Sequence, residues 1–279
     1  MNVLDLFSGI GGFSLGLERA GMRTVAFCEI DPHARAVLHK HWPNVPVFTD
    51  VSTLSKGDLS EQIDIIAGGF PCQDISTAGR GAGLSGSRSG LWFEYCRIIN
   101  EIRPRYAIIE NVSALRRRGL GGVLRSLAEI GYDAEWHCIP ASAVGAHHRR
   151  DRVWIVAYPN GTFGERTGLS GGIQSGDARL RFSSVSAPFV ADAASQRQSR
   201  QGEFVERSRF TAQGKGQTNQ LIAVRIEGEW PIEPDVGRVA YGVPNRTHRL
   251  KQLGNAVVPQ IPELIGRAIM EYERAYSLD

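Results

Sequence analysis

The sequence has few of the features that mark exported, metal-binding or membrane proteins. Its four cysteines, Cys28, Cys72, Cys96 and Cys138, stand far apart without a Cys-x-x-Cys pair, so neither a zinc ribbon nor a disulfide framework is predicted. No apolar stretch is long enough to cross a bilayer, and the first residues lack the basic region and apolar run of a secretory signal. We therefore expect a cytoplasmic protein with no membrane contact and no bound metal.

The composition limits the size of the core and the kind of partner. With 279 residues, of which 42% are hydrophobic, the chain can bury one substantial core and carry one smaller lobe. A net charge of +3 and an isoelectric point near 8.7 permit nucleic acid as a partner without requiring it. The positions of the charges are therefore more informative than their sum.

The amino-terminal segment has the pattern of a nucleotide-binding unit. Residues 3–20 predict a strand, a glycine-rich turn and a helix, which together offer backbone N–H groups and a helix amino terminus to a nucleotide. A second predicted strand, 24–28, ends at Glu29, where nucleotide-binding folds place an acid for ribose hydroxyls. Ser14 occupies the position of the third glycine of the dinucleotide fingerprint, which argues against NAD.

A cysteine follows the next predicted strand. The apolar run 63–67 predicts a buried strand, and Gly68 and Gly69 predict a sharp turn that brings Cys72 to its carboxyl end, where open α/β sheets bind ligands. Cys72 is either a reactive thiol or a small buried apolar residue. Residues 73–76 add polar groups, and the glycine- and serine-rich residues 78–90 could close over such a site, which favours the nucleophile.

Charged residues border two further predicted strands. Residues 106–109 predict a buried strand that ends at Glu110, an acid that is costly to desolvate and so needs a partner or a function. Arg150 and Arg152 stand at the entry of another strand, and we expect them to share one face. The three arginines 116–118 are either a solvated face or a phosphate-binding group.

Ordered sequence blocks resemble the DNA (cytosine-5)-methyltransferases. The blocks are 5–13 (DLFSGIGGF), 29–31 (EID), 69–73 (GFPCQ), 110–112 (ENV), 150–152 (RDR) and 252–259 (QLGNAVVP). The family usually carries glutamine where His148 stands, which is a departure. The resemblance implies an α/β, Rossmann-like S-adenosylmethionine-dependent methyltransferase with a mostly parallel sheet, plus a small irregular target-recognition domain.

The resemblance also implies how the chain is divided. Residues 1–158 would form the catalytic, cofactor-binding domain, 159–235 a small target-recognition region, and 236–279 a segment that returns to complete the catalytic domain. Apolar residues are sparse after residue 159 and show no periodicity, so a disordered linker is the alternative for parts of that region. A helix predicted at 260–272 would lie beside the first glycine turn if the catalytic domain is discontinuous.

Individual roles follow from the same resemblance. The implied catalytic residues are Cys72, Glu110, Arg150 and Arg152. The implied cofactor contacts are Phe7, Ser8, Gly9, Gly11, Gly12, Glu29, Ile30, Asp50, Val51, Pro71, Leu91 and Asn255. The implied DNA contacts are Gln73, Ser76, Arg80 and Arg88. Alternatives stay open for several of these residues. Glu29 could be a solvated turn residue, and Asn255 could be a turn residue that satisfies its own backbone. Asp50 could merely cap the following segment with Ser52, and Leu91 could be a core residue.

The implied reaction moves a methyl group from S-adenosylmethionine, leaving S-adenosylhomocysteine, to C5 of a cytosine rotated out of duplex DNA, through a covalent bond between Cys72 and C6. We expect a monomer in a bacterial or phage-infected cell, with a cognate restriction endonuclease as a candidate partner.

A tRNA cytosine-5 methyltransferase is the nearest alternative. An NAD-dependent oxidoreductase is suggested only by the glycine turn with Glu29. A non-catalytic DNA-binding relative is disfavoured by the presence of Cys72, Glu110 and Arg152.

Overall fold

The computed structural model describes residues 1–71, 90–162 and 246–276. The strands in these ranges are β1 (Asn2–Leu6), β2 (Arg23–Cys28), β3 (Val47–Phe48), β4 (Ile65–Gly69), β5 (Tyr106–Val112), β6 (Tyr132–Pro140) and β7 (Asp151–Pro159). The α-helices there are α1 (Gly12–Arg19), α2 (Pro32–His41), α3 (Gly90–Ile102), α4 (Leu115–Arg118), α5 (Leu120–Glu129), α6 (Arg246–Asn255) and α7 (Gln260–Tyr276). None of the helices in these ranges is both long and apolar enough to cross a membrane.

The described strands form one sheet in the order β3-β2-β1-β4-β5-β7-β6. Strand β7 runs antiparallel to both of its neighbours, and all other neighbouring pairs are parallel. The chain moves outward from β1 in one direction and then continues from β4 in the other, so a topological switch point lies between β1 and β4. The predicted mostly parallel α/β sheet is confirmed.

The central strands are apolar on both faces because helices cover both sides of the sheet. Leu4 and Ile66 belong to one buried core cluster, whereas their chain neighbours Val3 and Ile65 belong to a second cluster on the other side. Near-continuous apolar runs of this kind are typical of parallel strands buried on both faces. The same burial explains why these strands were recognisable in the sequence.

Helix α7 packs against α1 and closes the second core cluster. Its residues Ile261, Ile265 and Ile269 recur at helical spacing and are buried there. The approach is close, since a Cβ added at Gly16 would lie 2.2 Å from the backbone oxygen of Pro259. The described carboxyl-terminal segment therefore covers the first helix of the chain.

Two local expectations are corrected by the structure. Gly68 and Gly69 lie inside β4 and do not form the predicted turn. A Cβ at Gly68 would lie 2.2 Å from the backbone oxygen of Leu6, so close approach of the neighbouring strand explains this glycine. Strand β5 also continues past residue 109, which places Glu110 within the strand.

Helix α6 was not predicted. Its sequence is mostly polar, and its leucines, Leu250 and Leu253, are 57% and 65% exposed. A helix without a buried apolar stripe carries no periodic signal that sequence analysis can detect.

Candidate active site

A cavity of about 680 Å³ opens at the carboxyl ends of β1, β2, β4 and β5. This volume lies within the range usual for small-molecule sites. Most of the residues predicted from sequence line it, namely Phe7, Ser8, Gly9, Gly12, Glu29, Ile30, Asp50, Val51, Pro71, Leu91, Glu110, Arg150, Arg152 and Asn255. The structure thus brings together side chains that are far apart in sequence, from Phe7 to Asn255.

Some predicted residues are not part of this lining. Gly11 does not line the cavity, because it faces the indole of Trp42, whose ring atoms would lie 2.6 Å from an added Cβ. Cys72 lies outside the described residues, although Pro71, which precedes it, lines the cavity. The DNA contacts expected from the resemblance also lie outside the described residues, and these are Gln73, Ser76, Arg80 and Arg88.

The glycine turn and Glu29 form one wall of the cavity. Gly9, at φ 53°, donates its N–H to Glu29 Oε2 at 2.7 Å, and Asp31 N donates to Glu29 Oε1 at 2.8 Å. Each carboxylate oxygen keeps acceptor capacity for a further hydroxyl. Ile30 beside it is 74% exposed and gives the wall an apolar surface. This combination of a fixed carboxylate and an open aliphatic side chain fits a ribose with an attached base.

Asp50 caps the following segment and Leu91 packs against the core, and both residues also line the cavity. Asp50 Oδ1 accepts hydrogen bonds from Ser52 Oγ at 2.7 Å and from Ser52 N at 2.9 Å, so it does cap the following segment. The bond from the hydroxyl, together with that from the amide, lowers the pKa of Asp50. Leu91 is partly buried against the core. Both residues nevertheless line the cavity.

Glu110 and Arg152 form an ion pair at the opposite wall. Arg152 Nε lies 2.8 Å from Glu110 Oε1, and the antiparallel register of β5 and β7 brings the two strands together at this point. Burial raises the pKa of Glu110, and the positive charges of Arg152 and Arg150 oppose that rise. A Cβ at Gly69 would lie 2.6 Å from Glu110 Oε2, so the glycine leaves room for the carboxyl group.

Arg150 serves a different contact from Arg152. It precedes β7 and has a φ of 37°, so strand alternation is not what brings it to the cavity that it lines together with Arg152. Its Nη2 donates to the backbone oxygens of Gly254 and Ala256, each at 2.8 Å. Arg150 therefore holds the end of α6, where Asn255 reaches the cavity.

The sequence analysis assigned no role to Asn111. This side chain is 2% exposed, and its Nδ2 donates to the backbone oxygen of Phe70 at 3.0 Å while its Oδ1 accepts from Val112 N at 2.9 Å. Asn111 thus holds the backbone immediately before Pro71. An amide beside Glu110 in an otherwise apolar strand was the available signal.

Asp5 was also missed as an individual residue. It is fully buried in β1, and its Oδ2 accepts hydrogen bonds from Ser14 Oγ at 2.7 Å and from Ser14 N at 3.3 Å. Within the described residues its Oδ1 has no partner. Burial raises the pKa of Asp5 to about 8. The signal was an acid inside the apolar run that predicts β1.

A cavity at the carboxyl ends of a mostly parallel sheet, beside a glycine turn and a strand-end acid, is typical of the Rossmann-like α/β folds that bind nucleotides. Residues 1–208 match the family model described as C-5 cytosine-specific DNA methylase. Because the match covers more than half of the chain, the protein belongs to this family. Within the described residues no group of three or more His, Cys, Asp or Glu side chains is arranged to hold a metal ion.

Curated relatives agree with this assignment, and a solved structure shares the fold. The chain is 39% identical over 165 residues to Type II methyltransferase M2.BsuMI of Bacillus subtilis (strain 168), covering 56% of this chain and 42% of that protein. It is 40% identical over 156 residues to Type II methyltransferase M.CviJI of Paramecium bursaria Chlorella virus IL3A, covering 55% and 42%. The chain therefore spans less than half the length of these two relatives. The structure of the Entamoeba histolytica methyltransferase EhMeth has the same fold, with a TM-score of 0.51, 20% identity, and coverage of 62% of this chain and 55% of that one.

Proposed function

We propose that the protein is a DNA (cytosine-5)-methyltransferase that moves a methyl group from S-adenosylmethionine to C5 of cytosine in duplex DNA. The observation that carries the proposal is the meeting of Glu29, Pro71, the Glu110–Arg152 pair and Asn255 around one cavity, in a chain of this family. These residues come from segments far apart in sequence, and the cavity is the place where they meet.

The wall around the glycine turn would hold the cofactor. Glu29 would accept hydrogen bonds from the ribose hydroxyls, Ile30 would pack on the adenine, and Asp50 would meet its amino group. Phe7, Ser8 and Val51, which also line the cavity, would complete the wall. When bound, S-adenosylmethionine supplies an activated methyl group.

Cys72 would supply the nucleophile. Cytosine C5 is a poor nucleophile, so the Cys72 thiolate forms a bond to C6, and C5 can then accept the methyl group. Loss of the C5 proton and cleavage of the bond from sulfur to C6 restore the ring and free Cys72. A cysteine with a pKa of about 8.5 is only a few per cent thiolate at neutral pH, so the site must favour the charged form.

Glu110 would protonate the ring and Arg152 would orient Glu110. A carboxyl group whose pKa is raised by burial can hold a proton for N3 of the cytosine, which offsets the negative charge that attack at C6 creates. The ion pair with Arg152 fixes the direction of the carboxyl group. The target base must leave the helical stack to reach these groups, at a cost of a few kcal/mol.

The domain division and the remaining contacts are part of the same proposal. The packing of α7 on α1 supports a catalytic domain built from 1–158 and 236–279, with 159–235 as the target-recognition region. Gln73, Ser76, Arg80 and Arg88 would contact DNA. We further propose a cytoplasmic monomer with a cognate restriction endonuclease as a candidate partner.

Methyl transfer from labelled cofactor to duplex DNA and to tRNA tests the substrate. We expect incorporation into the duplex, and uptake by tRNA alone would establish the alternative substrate. Calorimetry should show binding of S-adenosylmethionine and not of NAD.

Replacement of single cysteines tests the mechanism. Cys72→Ala should abolish turnover and leave the affinity for S-adenosylmethionine largely intact. The control is Cys138→Ala, since Cys138 lies on β6 and does not line the cavity, and it should keep activity. Full activity in Cys72→Ala would refute the covalent mechanism.

A further inference from the structure

Arginines from two separate segments lie at the edge of the sheet that carries the cavity. Three of them, Arg116, Arg117 and Arg118, form most of α4, which follows β5 directly. A fourth, Arg149, lies just before β7. All four are exposed, and the side chain of Arg149 is 83% exposed. We call Arg116, Arg117 and Arg149 the arginine surface.

The strand register places both segments beside the cavity. Val112, the last residue of β5, pairs with Arg152, and Pro140 at the end of β6 pairs with Asp151. Arg116 Nη1 lies 3.8 Å from Cys138 Sγ, so α4 reaches the same end of β6. The arginine surface therefore borders the strand ends that present Glu110 and Arg152 to the cavity.

The charge of the arginine surface is largely uncompensated. Among the described residues Arg116 and Arg117 make no ion pair, and Arg149 pairs with Asp151 through Nε at 2.9 Å, which leaves its other guanidinium nitrogens available. An exposed ion pair contributes little to stability, so the pair with Asp151 does not prevent Arg149 from contacting a phosphate as well. Guanidinium groups bind phosphate oxygens through paired N–H donors.

We infer that the arginine surface binds backbone phosphates of the DNA duplex next to the cytosine that enters the cavity. The inference rests on the proposed function and extends it, because it assigns duplex positioning to residues outside the methyl-transfer site. Phosphate contacts fix the register of the duplex and carry no sequence information directly. The arginine surface therefore contributes affinity and orientation, whereas base recognition falls to other parts of the chain.

The dependence of duplex binding on salt tests the inference. In the full chain, Arg117→Gln and Arg149→Gln each remove one charge from a different segment. The logarithm of the binding constant falls with the logarithm of salt concentration by about 0.9 per neutralised phosphate, so the double variant should lose about 1.8 from this slope and bind about 60-fold more weakly near 0.1 M salt. The KM for DNA should rise, with kcat and the affinity for S-adenosylmethionine unchanged.

The matched control is Arg23→Gln with Arg274→Gln. These two exposed charges lie toward the amino ends of the strands, since Arg23 is the first residue of β2 and Arg274 adjoins Glu273, which pairs with Arg105 before β5. The control should keep the wild-type slope, and so should Arg117→Lys, which retains the charge. An unchanged slope in the Arg117 and Arg149 double variant, or an equal loss in the control, would overturn the inference.

The nucleic acid and the proposed reaction can be judged separately. Binding of a stem-loop RNA is measured in the same way. If the double variant changes the salt slope for this RNA and not for the DNA duplex, the assignment to DNA is overturned. Absence of methyl transfer by the wild-type protein would defeat the proposed function, and the binding slopes would still decide whether the arginine surface holds phosphates.

Discussion

The buried carboxyl group of Asp5 makes the stability of the protein depend on pH in a specific way, and Asp5→Asn removes that dependence. Burial raises the pKa of Asp5 from 3.8 to about 8 in the folded chain, whereas the unfolded chain has the lower value. The native state therefore keeps a proton that the unfolded state releases between these two values. Ionisation of Asp5 therefore lowers the free energy of unfolding progressively as the pH rises from about 4 to about 8. Below about pH 4 the carboxyl group is protonated in both states and has no such effect.

The magnitude follows from the linkage between proton binding and folding. One proton more in the native than in the unfolded state lowers the free energy of unfolding by about 1.4 kcal/mol for each unit of pH. Between pH 5 and pH 7 this amounts to about 2.7 kcal/mol. Asparagine has nearly the same shape, can still accept the hydrogen bond from Ser14 Oγ, and carries no titratable group.

Urea unfolding of the wild-type and Asp5→Asn proteins at pH 5, 6 and 7 measures the effect. The difference between the two free energies of unfolding should change by about 1.4 kcal/mol per unit, in favour of the variant at higher pH. Titrations shared by both proteins cancel in this difference. Parallel stability curves would show that Asp5 is ionised when folded, and the reasoning from burial would be refuted.

Three further substitutions probe the site and the packing. Glu110→Gln should lower kcat about 10²- to 10⁴-fold with unchanged cofactor affinity by calorimetry, and near-normal turnover would contradict its role as an acid. Gly69→Ala would place a Cβ 2.6 Å from Glu110 Oε2, so the carboxyl group must shift. We expect a large fall in kcat and only a small fall in the melting temperature; normal kinetics would show that the carboxyl position is not critical. Gly16→Ala meets the backbone of Pro259 at 2.2 Å and should cost about 1–3 kcal/mol in urea unfolding, whereas wild-type stability would mean that α7 can shift freely.

The sheet could be predicted because its signals are local. Ile65 and Ile66 face different core clusters, so an unbroken apolar run identifies β4 without knowledge of its neighbours. The polar helix α6 has no such signal and was missed. The glycines of β4 were misread as a turn, because sequence cannot distinguish a glycine needed for backbone freedom from one needed for the approach of Leu6 or Glu110.

The membership of the cavity was more predictable than its contacts. Strand ends in a parallel sheet meet at one edge, so Glu29 and Glu110 could be assigned to the same site. The orientation of Arg150 depends on a φ of 37° and on the carbonyl groups of the distant Gly254 and Ala256, which no local pattern reveals. The hydrogen bond from Asn111 to Phe70 likewise exists only once β4 and β5 are paired.

The docking of α6 and α7 sets the moment at which a newly made chain acquires its pocket. The glycine turn leaves the ribosome well before Asn255 and the backbone of Val257 above Gly12, since Val257 is synthesised about 245 residues after Gly12. At roughly 5–20 residues per second, at least about ten seconds pass before α7 has been made and can cover Phe13 and Leu17. During that interval the half-built protein offers apolar surface to chaperones and has an incomplete site for its methyl donor.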